Sequence, residues 1–247
     1  GDAAPLFARA LAVDDGAAMI HFLYAESLVG ELRGKPPDAA TRAGLLAARE
    51  HYRKALAAFP DLGEALAGFG TTFVEDENDL APGIAALEKA RRLLPSRQDV
   101  PFSLATLYDR SGRHDEARRL FGYLEENARH PALAAAARAQ RLNGELAEAS
   151  ALLAARKYAP GIARLEEIRS TLKDPALAAK IDATIREARA AAERERFVGL
   201  YNAAIEDLRA GKPREAAPLL REVAENAPDP ELARAAKEQL ERIARGR

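Results

Sequence analysis

The chain has 247 residues, of which 48% are hydrophobic, 30% are charged and none is Cys, and its formal net charge is −1 at pH 7. This length and apolar fraction suffice for a folded core, whereas the absence of Cys excludes disulfides and thiolate chemistry. Charges of both signs are interspersed and no apolar run is long enough to span a bilayer, so we expect neither a nucleic-acid partner nor membrane insertion.

The first 60 residues predict three helices. Apolar residues at helical spacing over 4–11 predict the first helix, which ends near the turn-forming sequence Asp14-Asp15-Gly16. A second helix is expected over 20–29, ended by Gly30 and by the prolines that follow. The third is expected from about residue 39 to Pro60.

Residues 63–131 contain two clear copies of a two-helix pattern. The first copy joins Leu66, Phe69, Gly70 and Phe73 to Gly83, Leu87 and Ala90; the second joins Leu104, Ala105 and Tyr108 to Gly112, Ala117 and Phe121. Each predicted helix has one apolar face. The small residues Gly70, Gly83, Ala105 and Ala117 are expected where two antiparallel helices cross, because they allow close approach of the backbones.

This pattern resembles the tetratricopeptide repeat (TPR), a two-helix unit of about 34 residues. The resemblance is clearest over 45–131. Compared with the family spacing, residues 30–40 are an insertion, and the chain begins in the middle of a repeat. The resemblance implies an all-α fold, an α-solenoid of stacked antiparallel helix pairs in which the first helix of each pair lines a concave surface.

After residue 131 the spacing changes in a regular way. The motif Pro-x-Leu-Ala occurs at 131, 175 and 230, and each proline is typical of the first turn of a helix. We interpret 132–247 as degenerate, TPR-like units of three helices, with Asn143-Gly144 as a break in the first.

Two features of this C-terminal part are predicted in more detail. A long helix is expected near 175–210, because apolar residues keep helical spacing across it. The last helix, 230–244, is expected to act as a cap with a charged outer face. The predicted domains are therefore an N-terminal TPR array over 1–143 and C-terminal helical units over 144–247.

The sequence contains no recognisable catalytic or metal-binding constellation. His21 and His51 lack the spacing of a metal-binding pair on one helix. The acidic run over 75–79 lacks the glycine and the final glutamate of a calcium loop, so we expect Asp79 to cap a helix with Pro82 in its first turn. Motifs of zinc proteases, serine hydrolases and phosphate-binding loops are missing. We predict no enzymatic activity, no metal and no cofactor.

The resemblance also implies which residues face the concave groove. These are Phe22, Glu26 and Val29 on the first groove helix, Ala67, Thr71, Val74 and Glu75 on the second, and Phe102, Thr106, Asp109 and Arg110 on the third. Some TPR domains hold a peptide's C-terminal carboxylate with Lys and Asn at such positions. Because Phe22, Ala67 and Phe102 stand there instead, we expect that clamp to be absent.

The remaining groove is mixed in character. It suits an extended or helical segment with apolar anchors and basic flanks. The alternative is that Phe22 and Phe102 only pack between repeats. We therefore predict a non-enzymatic scaffold that binds a protein or peptide segment. Two other hypotheses stay open: an accessory TPR segment of a larger bacterial enzyme or of a secretion or assembly factor, for example a peptidase-linked one, and a homo-oligomerisation module.

Overall fold

The computed structural model describes residues 3–36, 38–74 and 79–245. Over these residues the chain forms twelve α-helices and no β-strand, so the predicted all-α class is confirmed. The helices are α1 (Ala4–Val13), α2 (Ala18–Leu32), α3 (Ala39–Ala58), α4 (Gly63–Thr71), α5 (Ala81–Leu93), α6 (Asp99–Arg110), α7 (His114–Asn127), α8 (Pro131–Ala154), α9 (Tyr158–Thr171), α10 (Pro175–Arg209), α11 (Pro213–Asn226) and α12 (Pro230–Ala244).

The helices belong to two compact units, Gly1–Gly144 and Glu145–Arg247. In the first unit α2 packs on α3, α4 on α5 and α6 on α7, and α4 also contacts both α2 and α6. In the second unit α10 packs on α9 and α11, and α11 packs on α12. The predicted succession of packed helix pairs is thus confirmed within each unit.

Glycine allows α4 and α5 to pack at very short range, as the sequence predicts. A Cβ atom added to Gly70 would lie 2.5 Å from Cγ of Leu87 and 2.9 Å from the carbonyl oxygen of Gly83. A Cβ atom added to Gly83 would lie 2.7 Å from Cγ of Phe73. Neither position has room for a side chain, so the two backbones meet directly at this crossing.

Side chains from the loops set the beginnings of several helices. Pro82 lies in the first turn of α5, as predicted. The N-cap residue is Leu80 and not the expected Asp79, which lies one residue earlier and accepts a hydrogen bond from Ala81 N on its Oδ1 at 3.0 Å. Asp174 accepts bonds from two backbone N–H groups at the start of α10, and Asp229 accepts one at the start of α12. These carboxylates satisfy N–H groups that have no partner inside the helix.

Two predicted helix ends are wrong. The helix expected to end before Gly30 continues to Leu32, and the expected break at Asn143-Gly144 lies inside α8. One glycine in a helix interior costs only about 1 kcal/mol relative to alanine. Packing on both sides of the glycine outweighs that cost in α8, where Ala137 and Ala149 are fully buried.

The long helix and the last helix match their predictions. α10 extends from Pro175 to Arg209 and buries one face, formed by Ala178, Ile181, Ile185, Ala188, Phe197 and Ala204. α12 packs Leu232, Leu240 and Ile243 against α10 and α11 and exposes its charged residues. Each helix therefore combines an apolar inner stripe with a polar outer face.

Candidate functional site

The predicted groove residues lie on α2, α4 and α6, the first helices of three successive pairs, except Val74, which lies in the turn after α4. Because α4 contacts both α2 and α6, these helices form one layer of the first unit. Glu75 lies outside the described residues. The structure divides the other predicted residues into three groups with different contacts.

The first group packs around the phenol of Tyr52 on α3. Oε1 of Glu26 accepts a hydrogen bond from the Tyr52 hydroxyl at 2.5 Å, and the Phe22 ring lies 6.5 Å from the Tyr52 ring. Tyr52 is fully buried, and this burial, together with the adjacent Glu26 carboxylate, raises the pKa of the phenol. A Cβ atom on Gly68 would lie 2.5 Å from Cζ of Tyr52, so this position on α4 requires glycine.

The second group forms a pocket. Val29 at the end of α2, with Thr71 and Val74 at the end of α4, lines a cavity of about 360 Å³ that α3 closes on one side. We call it the α2–α4 pocket. Its other lining residues are Leu32, Arg33, Gly34, Lys35, Thr41, Leu45 and Thr72. Three predicted groove residues from two different helices thus surround one cavity.

The hydroxyl groups of the threonines that line the α2–α4 pocket donate hydrogen bonds within the protein. Thr71 Oγ1 donates to Ala67 O at 2.8 Å, and Thr72 Oγ1 donates to Phe69 O at 2.6 Å. The backbone N–H and the hydroxyl of Thr41 both bond to the Asp38 carboxylate and lower its pKa. The pocket floor therefore offers mainly methyl groups and aliphatic carbon.

A tight turn at the end of α2 forms the cationic rim of the pocket. Lys35 N donates to Leu32 O at 3.0 Å, Arg33 has φ −59° and ψ 124°, and Gly34 has φ +78°. These angles are those of a type II turn, which favours glycine at its third position. Sequence reasoning missed this turn as a functional element, although an Arg-Gly-Lys sequence before a proline is a visible signal.

A buried arginine supports the α4 side of the pocket. Arg49 on α3 is 5% exposed; its Nε donates to Thr72 Oγ1 at 2.9 Å and its Nη2 to Thr72 O at 2.6 Å. Its guanidinium also lies 3.8 Å from the centre of the Phe73 ring. These contacts fix the end of α4 against α3 and with it the position of Thr72.

The third group lies on α6 and makes mostly internal contacts. The Phe102 ring meets buried Phe121 edge-on at 5.6 Å, and Thr106 Oγ1 donates to Phe102 O at 3.0 Å. His114 Nδ1 lies 2.9 Å from Oδ1 of Asp109. Phe102 and Thr106 do not line the α2–α4 pocket. Phe22 and Phe102 both pack against the apolar core of the unit.

Arg110 connects α6 to the end of α4. Its Nη1 donates to Phe73 O at 3.3 Å and also to Val74 O. Arg110 further lines a second, more open cavity of about 570 Å³ beside Ile84 and Glu88. The arginine thus bonds to the backbone of Val74, the same residue whose side chain lines the α2–α4 pocket.

Two histidines that are 30 residues apart in the sequence form a pair. Nδ1 of His21 lies 2.8 Å from Nδ1 of His51, and Nε2 of His21 lies 2.9 Å from Asp15 O. Because a carbonyl only accepts, His21 carries a proton on Nε2, and when its Nδ1 is unprotonated, His51 donates to that atom from Nδ1. Partial burial and the nearby His21 and Lys54 lower the pKa of His51. The pair joins α2 to α3 through side chains.

The described residues contain neither a metal-binding group of side chains nor a membrane-spanning helix. Over 3–36, 38–74 and 79–245, no group of three or more His, Cys, Asp or Glu side chains is arranged to hold a metal ion. Within the same ranges, no helix combines the length and apolarity that a membrane span requires.

No family model and no curated protein matches the chain. Among solved structures, it is similar to YrrB, described as a TPR protein with an unusual peptide-binding site, at 17% identity over 94% of this chain and 97% of that one, with a TM-score of 0.39. It is also similar to the TPR domain of P58(IPK), at 14% identity over 98% of this chain and 83% of that one, again with a TM-score of 0.39. Both are members of the family that the sequence resembles. Values this low carry no argument about function.

Proposed function

We propose that the chain is a non-enzymatic scaffold that binds a protein or peptide segment on the layer formed by α2, α4 and α6. The α2–α4 pocket is the point of attachment. The observation that carries this proposal is the convergence of Val29, Thr71 and Val74, from two neighbouring helices of the layer, on one cavity.

The size and chemistry of the pocket support this proposal. Its volume of about 360 Å³ falls within the range of about 300–1,000 Å³ that is common for binding pockets. Aliphatic residues from three helices line it, so an apolar side chain of a ligand would leave water on entering. The other predicted groove residues contribute through the fold, because Glu26 and Arg110 hold neighbouring helices together.

The test is a selection of random peptides displayed on phage against the whole immobilised chain. Enriched peptides are synthesised with a fluorophore, and their Kd values are measured by fluorescence polarisation. The variant Thr71→Arg places a large cation in the mouth of the pocket. Since Thr71 is exposed, the helix tolerates this change. We expect Thr71→Arg to raise Kd at least about tenfold, which is about 1.4 kcal/mol.

The matched control is Thr184→Arg on α10. Thr184 is also exposed, and its hydroxyl also donates to the carbonyl four residues earlier, Lys180 O, at 3.1 Å. This variant should bind the peptides as the unmodified chain does. Equal affinities of the two variants, or a selection that enriches no peptide, would contradict the proposal. Circular dichroism of both variants establishes that each remains helical.

A further inference from the structure

We infer that the α2–α4 pocket is selective for a segment in which an aliphatic residue and an acidic residue are two positions apart. The aliphatic side chain occupies the pocket, and the carboxylate pairs with Arg33 and Lys35. This inference rests on the proposed function and names the chemistry of its ligand.

The pocket floor determines the aliphatic part of the preference. Val29, Leu45 and Val74 present hydrocarbon, and the three pocket threonines have already donated their hydroxyl protons inside the protein. A hydrogen-bond acceptor of the ligand at the floor would lose its hydrogen bonds to water without finding a threonine hydroxyl to donate to it. An aliphatic group has no hydrogen bonds to water to lose, and its transfer from water into the pocket is favourable.

The rim determines the acidic part. Arg33 and Lys35 line the pocket and are exposed, and neither forms a salt bridge with any residue in the described ranges. Asp38, close to them in sequence, already accepts hydrogen bonds from Thr41. A ligand carboxylate at this rim would therefore meet two cations that form no salt bridge with a residue in the described ranges.

The spacing follows from the geometry of an extended chain. Side chains at positions i and i+2 point to the same side, about 6.6–6.8 Å apart along the chain. If residue i enters the pocket, the side chain of i+1 points away and that of i+2 or i−2 reaches the rim. Gly34 adopts the left-handed backbone that the turn needs, and the hydrogen bond from Lys35 N to Leu32 O closes the turn, which keeps both cations beside the pocket opening.

This preference differs from the one that the acids of the predicted groove suggest. Glu26 and Asp109 favour basic flanks in a ligand, yet Glu26 accepts from Tyr52 and Asp109 is paired with His114. Each of these two carboxylates has a hydrogen-bond partner within the fold, whereas neither Arg33 nor Lys35 forms a salt bridge with a described residue. We therefore assign charge selection to the two cations.

The experiment repeats the phage selection with the double variant Arg33→Glu/Lys35→Glu. Against the unmodified chain we expect enrichment of peptides with Asp or Glu two positions from Leu, Ile or Val. Replacing that acid by its amide in a synthetic peptide should raise Kd about fivefold, the size of one partly exposed ion pair. Against the double variant, Lys or Arg should replace the acid at the same position.

The control is Lys180→Glu/Arg194→Glu, which changes the net charge equally on exposed positions of α10. It should select the same acidic peptides as the unmodified chain. If the enriched peptides lack an acid, or if the amide has no effect while Thr71→Arg still weakens binding, the inference is overturned and the proposed function stands. If no peptide is enriched, both are overturned.

Discussion

The hairpins α2–α5 and the cluster α10–α12 achieve burial by different means. In the hairpins, His21, Arg49 and Thr72 are buried polar residues, and glycines bring the helices together. The cluster α10–α12 is apolar throughout its buried core, which consists of Phe197, Ala204, Ala216, Leu220, Val223, Ala224 and Ala236.

This difference shows where the structure is most specific. A buried polar group needs a partner at one distance and angle, whereas apolar side chains need only to fill space. The hairpins therefore fix the relative position of three helices closely enough to shape a pocket between them. The cluster α10–α12 needs no such accuracy to be stable.

The largest effect is expected from Leu220→Ala in α11. Leu220 is fully buried in the cluster, so truncation removes apolar burial and leaves a cavity, at a cost of about 3 kcal/mol. The measurement is hydrogen exchange of α11 and α12 by mass spectrometry, which reports the local free energy of opening. Truncation of Val198 on α10, which is 45% exposed, to Ala should change this free energy by less than about 0.5 kcal/mol. Equal losses at both positions would show that volume is not what the cluster depends on.

A smaller loss is expected from Gly70→Ala in α4. The added methyl group would overlap Leu87 and the backbone of Gly83, so α4 and α5 must separate, at a cost of about 2 kcal/mol. Urea unfolding and hydrogen exchange of α4 and α5 measure it. Gly122→Ala is the control, because a Cβ atom there has no neighbour within 4 Å. Stabilisation by both substitutions would mean that the helices of the hairpin can move apart freely.

Gly199→Ala should do the opposite in the long helix α10. A Cβ atom at Gly199 has no neighbour within 4 Å, and alanine lowers the entropy of the unfolded chain, so we expect a gain of about 1 kcal/mol. Hydrogen exchange of α10 measures it. The reverse change at exposed Ala203, to Gly, should lose a similar amount. A loss on Gly199→Ala would show that α10 needs its glycine as α4 does.

The smallest expected effect is a dependence of the stability of the α2–α3 hairpin on pH. The pKa of His51 is lowered in the folded state, so the unfolded chain binds a proton more readily. The contribution of neutral His51 to stability is fully present above about pH 6.5, the usual pKa of His. It is lost as the pH falls from that value through the lower pKa of the folded state. We expect a loss of a few tenths of a kcal/mol between pH 7.5 and 5.5, because solvent screens this partly buried ring.

Hydrogen exchange of α2 and α3, corrected for intrinsic rates at each pH, measures this dependence. His51→Gln should remove it, whereas His130→Gln, at an exposed histidine, should not. Lys54 lowers the pKa of Asp15, so protonation of Asp15 affects stability only below the ordinary Asp range and outside this window. An unchanged pH dependence in His51→Gln would mean that protonation of His51 is not its cause.

Sequence patterns predicted the helices well where spacing was regular. The bounds of α10 and the crossing at Gly70 follow from apolar and small residues at fixed intervals. The breaks expected at Gly30 and at 143–144 were wrong, because helix packing outweighs the modest cost of glycine. Local composition does not include that packing energy.

The site was predictable only in part. Val29, Thr71 and Val74 follow from repeat positions, but Arg33 and Lys35 lie in a segment with no counterpart in the repeat pattern. Their placement depends on one left-handed glycine. The pairing of His21 with His51, which are 30 residues apart, depends on the register between α2 and α3, which spacing along a single helix does not encode.

The α2–α4 pocket takes its walls from one hairpin and from the first helix of the next. The pocket therefore does not coincide with a single hairpin of the array. Grafting a single hairpin into another array would transfer the two cations and seven of the ten lining residues, but not Thr71, Thr72 and Val74. An exchange meant to transfer the proposed ligand preference has to include α2, α3, α4 and the residues through Val74, a segment of one and a half repeats.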